Sequence, residues 1–321
     1  MTSLTAIEDA ATRLDGHAAR TPLLNAPLLD RVAGRRILVK AECLQRTGSF
    51  KYRGARAALT LLPPETPGIL AFSSGNHAQG VALAASELGL PAVILMPDNA
   101  PAVKIDNTRA YGAEVILYDR ATTDRDALGA DLCAKRHLHL VRPYDDPDVI
   151  AGQGTVGLEI AAQTAALGIT TADVIICCGG GGLASGTGIA LAALTPAFRL
   201  HTAEPAGFDD MARSLAAGQL QRNSALTGSI CDAILTPEPG RLTFPILQSL
   251  DAKGLTVTDD EALRAMALAF YHLRIVLEPG GAVALAAALF RNGLADTCIC
   301  TASGGNVDPA VFRTALDSPA I

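Results

Sequence analysis

Two short stretches of this chain carry residue types that could do covalent chemistry. The first, TGSFKYRGA (residues 47–55), puts Lys51 in the first turn of an expected helix, with Ser49 as its expected N-cap. A lysine is poorly placed there, because the positive end of the helix dipole lies at that turn. The chain has only five lysines against 21 arginines, so the placement calls for a reason. The second stretch, GGGGLASG (179–186), follows the apolar run DVIICC and precedes the helical run TGIALAAL. Glycines let the backbone approach an anion, and a helix start offers oriented N–H donors, so a phosphate is the natural occupant.

The elements around these stretches alternate. Apolar, β-branched runs at 36–40, 69–73, 92–96, 114–118, 138–142, 173–178, 199–204 and 297–302 read as strands, and helical patterns such as HAQGVALAASELG and QGTVGLEIAAQTAALG lie between them. That alternation, with continuous apolar strands, predicts an α/β fold of parallel sheets covered on both faces. The strands fall into two groups, one before about residue 145 and one after about 172, and PYDDPDVIAGQG (143–154) reads as the crossover between them. Ligands in such folds bind beyond the carboxyl ends of the strands. Three polar or glycine-rich loops follow strands here, SSGNH, GGGGLASG and SGGNVD, and are expected to face one cleft.

Composition narrows the function. The 321 residues are 49% hydrophobic and 18% charged, with a net charge of −6, which suits a well-cored protein with no basic run for nucleic acid. No apolar run reaches the ~18 residues of a membrane span, and the N-terminus is not a signal peptide, so the cytoplasm is the expected compartment. The seven cysteines include no CxxC pair and read as small buried hydrophobes.

Two ligands compete for the glycine loop. Gly179, Gly181 and Ala184 match G-x-G-x-x-G/A, with Glu204 about 20 residues on as the ribose ligand of a dinucleotide. That fingerprint explains neither Lys51 nor the other two loops. A phosphate cradle together with a lysine kept from water points instead to pyridoxal phosphate. Burial and a helix start both disfavour the ammonium, and the amine must lose its proton to join an aldehyde.

The segments KAECLQRTGSFKYRGA (40–55), SSGNHAQGVA (73–82), IAGQGTVGLEI (150–160), GGGGL (179–183), AEP (203–205), EPGGA (278–282) and SGGNVD (303–308) occur in an order that resembles the fold-type II pyridoxal-phosphate enzymes, in the branch of serine/threonine dehydratases and serine racemase. The resemblance spans nearly the whole chain. It implies two open, mostly parallel sheets covered by helices, the tryptophan synthase β-like arrangement. Residues 1–47 plus 146–321 would form a large cofactor-binding domain and 48–145 a small substrate-side domain, with a homodimer as the assembly.

The resemblance also assigns roles. Lys51 would hold the cofactor as a Schiff base and then remove the Cα proton. Phe50 would lie beside the pyridine ring, Asn76 would hydrogen-bond the ring hydroxyl, and Ser303 would face the ring nitrogen. Gly179, Gly180, Gly181, Gly182 and Leu183 would give N–H groups to the phosphate. Ser73, Ser74, Gly75, Asn76 and His77 would bind the substrate carboxylate, and Ser74 would protonate the opposite face of Cα in a racemase. Glu204, the Phe208 carbonyl and Asp210 would hold a divalent ion, Mg²⁺ or Ca²⁺, since hard oxygen ligands suit both.

The implied reaction is α,β-elimination of water from a β-hydroxy amino acid. A serine hydroxyl does not keep the pyridine nitrogen protonated as a carboxylate would, so prompt loss of a β-substituent suits this site. L-Serine and L-threonine need a small pocket. 3-Hydroxyaspartate, slightly favoured, needs a cation for its second carboxylate, for which Arg241 and Arg136 are the candidates. The chain ends soon after SGGNVD, which leads to the expectation of a catabolic enzyme without a C-terminal regulatory domain. An amino-acid racemase, an NAD-binding oxidoreductase and a non-catalytic protein of the same fold remain as alternatives.

Overall fold

The computed structural model describes residues 2–73, 75–119, 122–225 and 227–317. Among these residues the strands form two sheets. The strands are β1 (Leu23–Leu24), β2 (Arg36–Lys40), β3 (Ile69–Phe72), β4 (Ala92–Pro97), β5 (Glu114–Tyr118), β6 (His139–Val141), β7 (Asp173–Cys177), β8 (Arg199–Pro205), β9 (Lys253–Val257) and β10 (Thr297–Thr301). One sheet has the order β1-β2-β10-β7-β8-β9 and the other β5-β4-β3-β6. Every pairing is parallel except β1 with β2.

All eight expected strands form, most of them trimmed or extended by a residue. β1 and β9 lie at the edges of the six-stranded sheet. Their sequences, LL and KGLTV, are too short or too polar to read as core strands, because an edge strand is half wetted.

Side chains alternate across the six-stranded sheet, as the two-residue strand period requires. Ile37, Val39, Ile175, Cys177, Cys298 and Cys300 face a helix, Pro279–Phe290, that is buried along almost its whole length. Leu38, Val174, Ile176, Leu200 and Ile299 face the other side, where the helices Pro147–Ala166 and Gly182–Leu194 lie. Those two helices pack so closely that a Cβ on Gly157 would stand 2.7 Å from the Thr187 carbonyl oxygen. The alanine- and glycine-rich composition is thus the means by which helices cover a sheet at short range. None of the seven cysteines is paired, and six are buried.

The stretch expected as a crossover is helical from Pro147 onwards. Asp146 caps that helix, its Oδ1 accepting from the N–H groups of Asp148 (2.9 Å) and Val149 (3.0 Å), with proline in the first turn where its missing N–H costs nothing. The expected cap at Ser49 does not form. Phe50 occupies the N-cap position of the Lys51–Leu59 helix, and the buried Ser49 hydroxyl has no hydrogen-bond partner within the chain. Ser49 instead lies in extended backbone, bridged to Gly304. No helix among the described residues is long and apolar enough to cross a membrane.

Candidate active site

Because the strands of each sheet are parallel, the loops after β3, β7 and β10 leave from their carboxyl ends. Two of these loops touch directly: Asn306 Nδ2 donates to Asn76 Oδ1 at 2.8 Å. The chain between the sheets approaches the third. Tyr144 lies so close to Gly180 that a Cβ there would collide with its ring.

Lys51 stands in this gap. Its Nζ donates to the Pro143 carbonyl at 2.9 Å and lies 5.0 Å from the centre of the Phe50 ring. Burial lowers its pKa to about 8, against the charge of Glu278, which favours the ammonium. The lysine stays in place because the chain before it is pinned: Phe50 N donates to the Ser303 carbonyl at 3.1 Å, and Gly305 N to the Gly48 carbonyl at 2.9 Å. Ser303, buried, is therefore held next to the start of the lysine helix.

The glycine loop opens the helix Gly182–Leu194, with Gly181 at its N-cap at φ +93°, a conformation that glycine takes without strain. Ser185 is the first residue to donate back into this turn, to the Gly181 carbonyl at 2.8 Å. The N–H groups before it belong to the first helical turn, which has no intrahelical acceptors. The loop is anchored from behind, where Gly180 O accepts from Thr243 Oγ1 (2.6 Å) and Gly240 N (3.2 Å). No carboxylate interrupts residues 179–186, and Gln153, whose Oε1 is buried without a partner, lines the cradle beside Gly182. The donor set fits a phosphate.

The loop after β3 uses its side chains partly on itself. Ser73 Oγ accepts from Gly75 N at 3.1 Å. His77 is buried, with its Nε2 3.3 Å from the Val141 carbonyl. Burial, with the Lys51 charge adding, pushes its pKa down to about 3, so the ring is neutral. Ser74 lies outside the described residues.

The two arginine candidates fare differently. The structure does not bring Arg136 to the cleft. It ends the helix Arg125–Arg136 and pairs at 2.7 Å with Glu114, the first residue of β5, at the opposite end of the sheet from the site. Arg241 has an exposed side chain, and its backbone N–H donates to Asp145 Oδ2 at 3.1 Å, one residue beyond the Gly240–Gly180 bond. A third arginine, Arg125, stands at the other end of the helix that carries Arg136, with its guanidinium bonded to Asp126 at 3.1 Å. That guanidinium also stands 5.0 Å over the ring of Phe72, the residue before Ser73. The polarity of a crossover helix could have revealed this, since it runs antiparallel to its strands and starts at their carboxyl ends.

Glu204 and Asp210 are brought together, both fully buried. Burial, and next the charge of Asp210, raise the pKa of Glu204 well above the usual carboxylate range; burial raises that of Asp210 to about 6, against its bond from Asn223. Glu204 accepts from the N–H groups of Met211 (2.9 Å) and Ala212 (2.7 Å) at the start of the helix Asp210–Ala217. A carboxylate so enclosed does not reach a ribose, which removes the support for a dinucleotide. No group of three or more His, Cys, Asp or Glu side chains among the described residues could hold a metal, so an ion here would rest on two carboxylates and the Phe208 carbonyl. Three further residues at the site were assigned no role from the sequence. Glu278 and Asn306 lie in the segments EPGGA and SGGNVD, Lys104 in none of those quoted, and all three converge on Asn76 from far apart in the chain.

A two-sheet α/β fold with a half-buried lysine near a glycine loop that fits a phosphate, and near a polar loop at a helix start, suits a class of cofactor-dependent enzyme. Comparison with known proteins gives it a family. A family description, pyridoxal-phosphate dependent enzyme, matches residues 14–304. The L-threo-3-hydroxyaspartate ammonia-lyase of Pseudomonas sp is 40% identical over 314 residues, covering 96% of each chain. The serine racemase of Oryza sativa subsp. indica is 36% identical over 319 residues, covering 97% of this chain and 92% of the relative. Among solved structures, the threonine deaminase of T.th. is similar with a TM-score of 0.90 at 43% identity, covering 95% of this chain and 99% of its own. The chain belongs to the family of pyridoxal-phosphate dependent enzymes, and pyridoxal phosphate is its cofactor.

Proposed function

We propose that this enzyme is an ammonia-lyase that removes water from a β-hydroxy amino acid, with 3-hydroxyaspartate favoured over L-threonine and L-serine. One observation carries the reading: a half-buried, readily deprotonated Lys51 amine lies near a glycine loop that fits a phosphate and a loop suited to a carboxylate. Lys51 is the residue that bonds the cofactor aldehyde and takes the Cα proton. Gly179, Gly180, Gly181, Gly182 and Leu183 hold the phosphate, Phe50 lines the ring, and Ser303 faces its nitrogen. Asn76 meets the ring hydroxyl, while Ser73, Ser74, Gly75 and the backbone of His77 receive the substrate carboxylate.

The cofactor, when bound, supplies an electron sink for the pair left behind as Cα loses its proton. The Cβ–O bond breaks, a Cα=Cβ bond forms and the hydroxyl leaves with one added proton as water, which the proton taken from Cα balances. The released enamine becomes an imine, and water then frees ammonia to leave a 2-oxo acid. The chain's own part is to hold Cα beside the Lys51 amine and to keep His77 neutral, so that it offers no competing charge. The reading includes action in the cytoplasm as a homodimer, with the cofactor between residues 48–145 and the rest of the chain.

The relatives named for 3-hydroxyaspartate support the choice of substrate, as does Arg125 at the substrate end of the small sheet. We expect 2-oxo acid release from one 3-hydroxyaspartate isomer to exceed that from L-serine and L-threonine by at least about tenfold in kcat/KM, the scale of one charge-assisted contact. Equal or better turnover of the monocarboxylates removes the argument for a second cation. Racemisation is the alternative reading, supported by relatives named serine racemase. Chiral analysis of the recovered substrate separates the two, since a lyase returns no inverted amino acid.

A divalent ion at Glu204 and Asp210 belongs to the same proposal, because it would relieve the repulsion between the two carboxylates. Millimolar Mg²⁺ or Ca²⁺ is expected to raise the melting temperature by a few degrees through preferential binding to the folded state. Glu204→Gln should abolish that shift.

A further inference from the structure

Glu278 is buried at 2% exposure beside the site. One carboxylate oxygen accepts from Asn76 Nδ2, and the other faces Lys104 Nζ at 3.3 Å. Lys104, 3% exposed, has a second and longer pair with Asp232 at 3.5 Å. Its side chain reaches this point by crossing Gly75, where a Cβ would lie 2.6 Å from the lysine Cδ and 3.2 Å from Nζ. A side chain at position 75 would thus have to displace the lysine that passes over it. On the far side of Asn76, the Asn306 amide donates to Asn76 Oδ1 (2.8 Å) and to the Thr47 carbonyl (2.7 Å). The Asn76 amide is therefore fixed at both ends, with one N–H left over. The backbone completes the arrangement: Glu278 N donates to the Gly304 carbonyl at 3.1 Å, and Gly304 bridges Ser49, two residues before Lys51.

Burial raises the pKa of Glu278 above the usual carboxylate value, against the charge of Lys104. Without that lysine the ionised carboxylate would do harm, because its charge favours the ammonium form of Lys51, the form that cannot bond an aldehyde. We propose that Lys104 is a positioning residue for the cofactor site: its ammonium balances Glu278, so that the carboxylate orients Asn76 without holding a proton on Lys51. The charged groups that face Glu278 are Lys104, Asp232 and Lys51, each from a different segment, and the nearby His77 is neutral. Of these, Lys104 supplies the direct pair to the second carboxylate oxygen.

The inference rests on Lys51 as the residue that bonds the cofactor, and the experiment tells the two apart. The full chain, stripped of cofactor, is mixed with pyridoxal phosphate, and the rise of visible absorbance is followed across neutral to mildly alkaline pH. In the unaltered protein the rate should climb through about 8, where the Lys51 amine becomes free. Lys104→Met should move that midpoint up by about one unit and slow uptake at neutral pH about tenfold, as an uncompensated neighbouring charge does. Glu278→Gln should not move it up, and the double variant should match Glu278→Gln, because Lys104 then has no carboxylate to balance. An unmoved midpoint in Lys104→Met, or a double variant displaced as far as Lys104→Met, overturns the proposal. A purely structural lysine would lower thermal stability in the single and double variants alike and leave the midpoint alone, which also overturns it. Should Lys104→Met not fold, the double variant, which buries no unpaired charge, decides by its agreement or disagreement with Glu278→Gln. Absence of any visible band in the unaltered protein overturns the Lys51 reading and this inference with it, a result distinct from a band that forms with an unmoved midpoint.

Discussion

Lys51→Ala should lower turnover by about 10³-fold or more, since it removes both the bond to the cofactor and the positioned base. The fold should survive, because the side chain contributes a partly buried charge and one hydrogen bond, to the Pro143 carbonyl. In the cofactor-free protein the variant is expected to melt no lower than the original. Lys51→Arg tests the same point from the other side. It keeps a cation in place, but a guanidinium does not deprotonate in proteins, so activity should be lost equally.

The pH dependence has a definite sign. The folded pKa of Lys51, about 8, lies below its ordinary 10.5. Between those values the unfolded chain binds more protons, so this group adds stability to the cofactor-free protein as pH rises through that window. Cofactor uptake should speed up as pH rises through about 8, where the folded protein's Lys51 amine loses its proton. Borohydride reduction of the loaded enzyme followed by peptide mapping should place the label on Lys51, and a label on any other lysine would remove the basis of the proposed chemistry.

Strands such as β3, β4 and β7 were legible because they are nearly continuous apolar runs, whereas β9 at an edge of the six-stranded sheet mixes Lys, Gly and Thr with its apolar residues. Lys51 and the glycine loop were legible because each conflicts with a local rule: a lysine at a helix start, and four glycines in a row. Lys104 and Glu278 break no local rule. They are 174 residues apart and meet only because the helix Ala102–Ala110 and the helix start at Pro279 converge on Asn76. Gly75 suits an anion loop, yet the space it leaves is filled by Lys104. Arg136 and Arg125 show a subtler limit. They are the two ends of one helix, and composition does not distinguish them, whereas the direction of that helix against its sheet does.

Glu42→Ala should destabilise the fold by about 3–5 kcal/mol, because it removes the two-bond partner of a buried guanidinium and leaves Glu159 alone facing both Arg53 and Lys40. Arg53, two residues after Lys51, is 2% exposed; its Nε and Nη2 donate to the Glu42 carboxylate at 2.8 and 2.9 Å, and its Nη1 to Glu159 at 2.7 Å. Lys40, fully buried at the end of β2, pairs with Glu159 of the helix Pro147–Ala166 and donates to the Thr21 carbonyl at 2.7 Å. Two cations and two carboxylates thus join β2, the lysine helix and the helix Pro147–Ala166 in one closed set. Replacing Glu42 and Arg53 together with apolar residues of similar size should cost less than the sum of the single changes, since neither then leaves a charge unpaired. Urea unfolding of the three variants measures this directly. Burial works against the Glu42 carboxylate, but Arg53 and then Lys40 outweigh it and hold its pKa below the ordinary value. Its contribution is therefore complete above the ordinary carboxylate range and is lost as pH falls through the lowered value. The consequence reaches the chemistry, because Arg53 anchors the turn that carries Lys51. A Glu42 variant that still folds at neutral pH should take up cofactor more slowly than the original, with the pH midpoint of uptake unchanged, which distinguishes loss of anchoring from a change in the charge around the amine.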